Sequence, residues 1–187
     1  MLTKQDFKKL KKEAKHEIKW IEQEYEQLQQ KDASSQLKKH DLWDEEEIHR
    51  LTYDRKDRKY ASWTIELCSI IEQWLLRLYE QTYQKTFNSV QLMKTPAYRS
   101  LSNIEILQAE LKSQHIAVKP GAENDDDELA KVFKARNKLI HSNFSFASIV
   151  GQDSNAEQTL EWILNTVEQY RKHLKYEIPV LSNAKTG

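Results

Sequence analysis

The chain has 187 residues, a length that suits one domain, and it contains only 3 Gly and 3 Pro. An all-β sandwich needs frequent turns, which draw on both residues, so this composition excludes that fold class. Charge is balanced at 29 Lys+Arg against 29 Asp+Glu, so any nucleic acid must be held by a local patch or cleft rather than by the molecule as a whole. Cys68 is the only cysteine, which excludes an internal disulfide and argues against a cysteine-based zinc site.

Leu, Glu, Gln and Lys are abundant, and these residues lose little rotamer freedom in helices, so the sequence predicts an all-α fold. No stretch approaches the length of a membrane span, and the first dozen residues are too charged for a signal peptide. We therefore expect a cytoplasmic protein with no membrane association.

The first predicted element is a long charged helix over residues 4–30, in which apolar residues recur every three or four positions. The apolar stripe is narrow, so residues 1–32 are interpreted as an amphipathic helical arm that packs on the rest of the chain or straps a dimer. Its lysines Lys8, Lys9, Lys11 and Lys12 are expected to be solvated, with RNA or partner contact as the alternative. Asp32 to Ser35 break the helical pattern, and a short segment around Leu42 and Trp43 follows.

The second predicted helix runs from about residue 45 to 87, because no Gly or Pro interrupts this stretch. Asp44 followed by Glu47 fits a capping box at its start. Its second half has a broad apolar face, which is typical of a central core helix. Trp63 and Trp74 lie on that face and are predicted to be core residues rather than base-stacking platforms. Thr95-Pro96 then breaks the chain.

Three shorter helices are predicted after that break. One spans residues 103–114. The next is capped by Asp125 with Glu128 and runs to His141, and the last is capped by Ser154 with Glu157 and runs to about residue 176. We therefore expect a helical domain over residues 45–176 and a loose C-terminal tail over residues 177–187.

One of these helices carries a charged residue in the middle of its apolar face. The apolar residues of that face are Leu129, Val132, Phe133, Leu139 and Ile140. All of them fall within roughly 60° of Arg136 on a helical wheel, and a positive charge there is costly unless it is paired or opens onto a wet cleft. His141 is rotated roughly 140° from Arg136, so the two converge only if the helix end loosens or a second subunit completes the site.

The run Arg136-Asn137-Lys138-Leu139-Ile140-His141 resembles the signature of the HEPN superfamily. In that family an Arg, often followed by a polar residue such as Asn, precedes a His by about four to six residues near the end of a helix. Residues 61–75 also look like the long core helix of the family. The resemblance covers roughly residues 45–176, and the arm lies outside it.

The resemblance implies a bundle of four to five helices that forms a homodimer, with two such motifs facing each other across a cleft. It also implies RNA cleavage without metal or other cofactor, by attack of the ribose 2′-OH on the adjacent phosphate. His141 would take or give a proton, and Arg136 would place its donors on the phosphate. Asn137 would orient His141 or hold a phosphate oxygen, and Ser142 and Asn143 would add substrate contacts. Many family members are toxins or antiviral defence effectors, so an antitoxin or other partner protein is expected too.

Structural explanations exist for the same residues. Arg136 can belong to a buried ion pair, with Glu66 as its partner, and His141 can be a cation favoured by the helix dipole. On that basis the second functional hypothesis is a non-catalytic helical dimer that scaffolds or regulates a partner protein. A third is a helical adaptor in which the motif is accidental.

Two groups of side chains could suggest a metal site. The acidic run at residues 125–128 is better explained by its place at a helix N-terminus. The group His40, Asp41, Asp44 and His49 has a spacing that matches no known ligand pattern. The sequence therefore predicts no metal site.

Overall fold

The computed structural model of the protein describes residues 2–30 and 45–177. In these ranges the α-helices are α1 (Lys4–Gln30), α2 (Glu45–Tyr83), α3 (Ser89–Leu92), α4 (Asn103–Ser113), α5 (Asn124–His141) and α6 (Ala156–His173). Two 3₁₀ turns, Pro96–Tyr98 and Phe146–Ile149, and two short strands, β1 (Ile116–Val118) and β2 (Leu174–Tyr176), accompany them. The predicted all-α helical bundle is confirmed. The break after Asp32, the segment around Leu42 and Trp43, the Asp44 cap and the tail beyond residue 177 lie outside the described residues.

Helix α2 is the centre of the bundle, and it contacts α1, α4, α5, α6 and the 146–149 turn. Its broad apolar face explains this position, since such a face needs cover on several sides. Trp63 and Trp74 are 1% and 3% exposed, so their prediction as core residues is confirmed. The helix ends at Tyr83, earlier than predicted, because Gln84 takes the left-handed conformation (φ 55°) that often terminates helices.

The narrow apolar stripe of α1 lies against α2 and α6 and belongs to the same core cluster as those helices. Its buried residues are Phe7, Leu10, Ala14, Ile18, Ile21 and Tyr25. Lys8, Lys9 and Lys12 are exposed as predicted, but Lys11 is half-buried, and its ammonium group donates hydrogen bonds to the carbonyls of Lys172 and Leu174 at 2.9 and 2.7 Å. Burial and the nearby charges of Lys175 and Arg171 lower the pKa of Lys11 to about 8. Helix α1 is thus a packing arm whose side chains reach the C-terminal end of α6.

The predicted cap of α5 is wrong. The helix begins at Asn124, and the residue before it, Glu123, already has helical backbone angles and makes no side-chain cap. Asp125 instead lies inside the first turn, where its carboxylate is 2.7 Å from Nδ1 of His173. Glu128 pairs with Lys131 one turn later. These acidic residues still lie at the positive end of the helix dipole, which favours them there.

The predicted cap of α6 is displaced by one residue. Asn155 and Gln158 form the capping box, in which each side chain accepts the backbone N–H of the other residue. Ser154 instead accepts the backbone N–H of Gly151 at 3.1 Å. Glu157 is thereby free to face α2, where its carboxylate accepts a hydrogen bond from the Tyr60 hydroxyl at 3.4 Å.

The end of α6 also differs from the prediction, because residues 174–176 leave the helix and form β2. This strand pairs antiparallel with β1, with Ile116 opposite Tyr176 and Val118 opposite Leu174. The backbone N–H of Lys119 extends the pairing by donating to the carbonyl of His173 at 2.9 Å. The strand pair ties the connection between α4 and α5 to the end of α6 that also receives Lys11.

Candidate functional site

Helix α5 positions the residues of the sequence motif. It packs against α2, α4 and α6 and remains helical through His141, and the backbone N–H of Ser142 closes it by donating to Lys138 and Leu139 carbonyls. Leu139 is buried, but Ile140 is 40% exposed, so its prediction as an inward residue is wrong. Adjacent residues point about 100° apart on a helix. Near the end of α5 the core covers only one side of the helix, and Leu139 occupies that side while Ile140 does not.

Arg136 lies at the edge of α5 that faces α2, with 27% of its side chain exposed. Its Nη2 is 3.8 Å from a carboxylate oxygen of Glu72, and its Nη1 donates to the side-chain oxygen of Asn137 at 3.1 Å. Its Nε is buried and has no hydrogen-bond partner among the described residues. The guanidinium group is therefore held loosely, at a distance beyond direct hydrogen bonding to the carboxylate.

The expected partner of Arg136, Glu66, is the wrong residue of α2. Glu66 is exposed, and the carboxylate that faces Arg136 belongs to Glu72. Six residues separate the two glutamates, which places their side chains roughly 120° apart around the helix, so they cannot both face α5.

Cys68 lies beneath this ion pair and is fully buried. Burial raises the pKa of its thiol to about 12, while Arg136 opposes the rise and Glu72 adds to it. A thiol in that state is protonated at neutral pH and is a poor nucleophile. Cys68 is therefore a core residue rather than a reactive group.

Asn137 and His141 are both exposed and lie one turn apart on α5. Lys134 and Lys138 are exposed on the same side of the helix. We call Lys134, Lys138 and His141 the basic stripe. It is a local group of the kind that a chain with no net charge needs in order to hold a polyanion.

The described chain does not bring Arg136 and His141 together. Because α5 is regular through His141, the two side chains leave the helix roughly 140° apart. Arg136 faces the edge of α2, whereas His141 lies with the basic stripe. The sequence suggests two ways in which these side chains could meet. The helix end is not loosened in this structure, which leaves completion of the site by a second copy of the chain.

The loop after α5 has an unusual backbone. Asn143 and Phe144 both adopt left-handed angles, with φ of 56° and 61°. Asn tolerates this conformation, but for other residues with a side chain it costs roughly 1–2 kcal/mol. Phe144 nevertheless stays 50% exposed, close in sequence to the exposed Ile140. Strain of this kind tends to persist at functional sites.

Ser142 has a structural task within this loop. Its hydroxyl lies 3.2 Å from the carbonyl of Leu139 and 2.7 Å from the hydroxyl of Ser148. It therefore links the end of α5 to the 146–149 turn. Asn143 is exposed beside it. Sequence reasoning did not single out Glu72, nor the exposure of Ile140 and Phe144. For these two apolar residues the clearest signal in the sequence was a phenylalanine directly after Asn143 at a helix end.

Within residues 2–30 and 45–177, no three His, Cys, Asp or Glu side chains are grouped so that they could hold a metal ion. Three members of the group around His40 lie outside those ranges. The helices of the same ranges include none that is both long and apolar enough to cross a lipid bilayer. No protein-family model matches the chain, and neither a curated protein nor a solved structure is significantly similar to it.

Proposed function

We propose that the protein is a metal-independent endoribonuclease of the HEPN type that acts as a homodimer. The observation that carries the proposal is the arrangement of Arg136 and His141 on one regular helix, roughly 140° apart. Arg136 holds donors that its 3.8 Å contact with Glu72 does not use, and His141 is exposed. A phosphate and a proton-transfer group can then meet only where two copies face each other.

The exposed apolar residues within the motif and just after it support such an interface. Ile140 and Phe144 are 40% and 50% exposed. In a two-fold dimer the same patch meets itself, so each residue counts twice. Covering this patch would also bring two α5 ends, and with them two basic stripes, to one cleft.

The chemistry follows from the residue types. In the composite site one His141 takes the proton of the ribose 2′-OH as this oxygen attacks the adjacent phosphorus. The bond between phosphorus and the 5′-oxygen breaks, and the second His141 gives that oxygen a proton. The products are a 2′,3′-cyclic phosphate and a 5′-hydroxyl. Arg136 stabilises the negative charge that develops on the phosphoryl oxygens, and the side-chain oxygen of Asn137 accepts a hydrogen bond from the guanidinium group at 3.1 Å.

A toxin or antiviral defence role belongs to this proposal, and with it an antitoxin or other partner protein. The second candidate is a non-catalytic helical dimer that scaffolds or regulates a partner. The ion pair with Glu72 favours that candidate, because it explains Arg136 without any chemistry.

The test measures cleavage of a single-stranded or loop RNA in excess chelator, since flexible loops allow in-line attack. His141→Ala and Arg136→Ala are each expected to lower the rate about a hundredfold or more. The matched controls are His16→Ala on exposed α1 surface and Arg77→Ala, whose residue pairs with Glu13 at 2.7 Å on the surface of α2. Both controls should cleave like the wild type.

The same proteins are examined for folding and mass. The wild type should be a dimer at micromolar concentration, and both inactive variants should melt cooperatively. A folded His141→Ala protein with undiminished cleavage would contradict the proposal, as would activity that disappears with chelator and returns with magnesium. An inactive wild type together with an unfolded Arg136→Ala protein would favour the scaffold.

A further inference from the structure

A groove of about 570 Å³ lies between the first turns of α2, the 146–149 turn and the start of α6. Its volume is in the range of small-ligand sites. Tyr60 lines it, and the twelve residues between Tyr60 and Glu72 correspond to about 18 Å along α2. The groove is therefore separate from the surroundings of Arg136, although the 146–149 turn that forms one wall follows His141 closely in sequence.

Aromatic rings form the floor and the rim of the groove. Tyr60 is 1% exposed, stacks on Trp63 with ring centroids 5.9 Å apart, and meets the edge of Phe146 at 5.4 Å. These contacts hold the floor rigid. Tyr53 lies at the rim with 58% of its surface exposed. Between them lie small apolar side chains: Ala147, Val150 and Ala156.

The charged groups of the groove already have partners. The two carboxylate oxygens of Asp57 accept the backbone N–H groups of Phe146 and Ala147 at 3.0 and 2.7 Å. Lys56 lies 3.8 Å from Glu157. Neither an anion nor a cation is therefore favoured inside the groove.

One polar group in the wall is left without a partner. The hydroxyl of Thr52 is buried and makes no hydrogen bond within the described residues. Buried polar groups are nearly always paired, so this hydroxyl calls for a partner from outside. A rigid aromatic floor, an exposed aromatic rim, compensated charges and one unpaired hydroxyl together suit a planar, uncharged heterocycle with hydrogen-bonding edges.

We propose that the groove binds an unpaired nucleobase of RNA. This inference rests on the proposed function and adds an anchoring subsite a few nucleotides away from the cleaved phosphate. The base lies against Tyr53, and an edge of the base bonds the Thr52 hydroxyl. An adjoining hollow is lined by Glu46, Glu47, His49, Arg50 and Tyr53, so its charges are mixed and it offers no uniform attraction to phosphate.

The first measurement is binding of a fluorescent single-stranded RNA of about ten nucleotides to His141→Ala protein, so that cleavage does not interfere. Adding Tyr53→Ala should weaken binding about tenfold, because stacking on an aromatic ring is lost. Adding Thr52→Val, which keeps the shape of the side chain, should weaken it several-fold. The matched control is Trp20→Ala, which removes an aromatic ring that is 68% exposed on α1 and does not line the groove.

The second measurement is saturation transfer from wild-type protein to the base protons of free nucleoside 5′-monophosphates. Transfer is expected for the wild type and should be lost in Tyr53→Ala. RNA that the wild type cleaves and that all the His141→Ala variants bind equally well would overturn the groove subsite and leave the nuclease intact. Nucleotides that bind the groove of a wild type without cleavage would overturn the nuclease and leave the subsite. Absence of saturation transfer to any nucleotide would overturn the subsite.

Discussion

Two arginines on neighbouring helices each face a glutamate, but one forms a tight ion pair and the other a loose one. In α6, Arg171 donates from Nε and Nη2 to the two carboxylate oxygens of Glu168 at 2.6 and 2.7 Å, and the two side chains are 7% and 13% exposed. In α5, Arg136 approaches Glu72 only to 3.8 Å, and these two are 27% and 30% exposed. The first guanidinium group makes a bidentate pair within the fold, whereas the second keeps donors for a ligand.

The two pairs also differ in where each partner lies in the chain. Glu168 and Arg171 are three residues apart on one helix, so the helix itself aligns them. Glu72 and Arg136 meet across two helices, and their distance depends on how those helices pack. Of these two arginine pairs, the one within α6 is tight and structural, and the one between α2 and α5 is loose enough for a substrate to displace.

The largest expected effect is on the tight pair. Glu168→Gln keeps the shape of the side chain but strands the buried charge of Arg171, so we expect a loss of about 3–5 kcal/mol in the free energy of unfolding. Urea denaturation measures it. The matched control is Glu72→Gln, for which we expect about 1 kcal/mol or less, as for other partly exposed pairs. Equal losses in the two variants would remove the distinction between the arginines.

Lowering the pH should also destabilise the protein through the Glu168–Arg171 pair, with a smaller effect than the substitution. Burial by itself raises the pKa of Glu168, but the hydrogen bonds and charge of Arg171, together with the charges of Lys172 and Lys15, outweigh it and lower the pKa below its ordinary value of 4.5. A carboxylate with a lowered folded-state pKa contributes stability above pH of about 4.5 and loses it as pH falls through the folded-state value. Melting curves between pH 7 and pH 3 should therefore drop more for the wild type than for Glu168→Gln. Parallel curves would mean that Glu168 contributes no pH dependence.

The smallest expected effect is on the loose pair. Arg136→Ala should change the free energy of unfolding by about 1 kcal/mol or less, since the pair is long and partly exposed. A double-mutant cycle with Glu72→Gln should give a coupling energy below about 1 kcal/mol. A coupling of several kcal/mol would make Arg136 a structural residue like Arg171 and would count in favour of the scaffold.

The sequence alone predicted the helices well, because their composition and periodicity are local properties. It failed where two local signals were equivalent. Ser154 with Glu157 and Asn155 with Gln158 both fit a capping box, and the second forms while Glu157 faces Tyr60 and Lys56 of α2. The contacts of Glu157 with α2 depend on how the two helices pack, which a local sequence pattern does not show.

For the candidate site, the sequence predicted the features that depend on α5 alone but not those that depend on how α5 packs against α2. The wheel places Arg136 toward a neighbouring helix, but whether Glu66 or Glu72 lies opposite depends on the register between α2 and α5. The strands were missed for a similar reason. Each has three residues, and the whole of α5 and α6 lies between Ile116 and Tyr176 in the sequence, so no turn signal joins the strands.

The hydrogen bond from Lys11 to the Leu174 carbonyl spans 163 positions of the chain, and this has a consequence for folding. During synthesis α1 emerges before the other helices, while its partner surface on α6 emerges after them. The side of α1 that contacts α6 stays uncovered until that helix and β2 have been made. Contacts between distant residues form slowly, and uncovered apolar faces aggregate or engage chaperones in the meantime. Of the described helices, α1 is therefore made before the others but is among the last to dock fully.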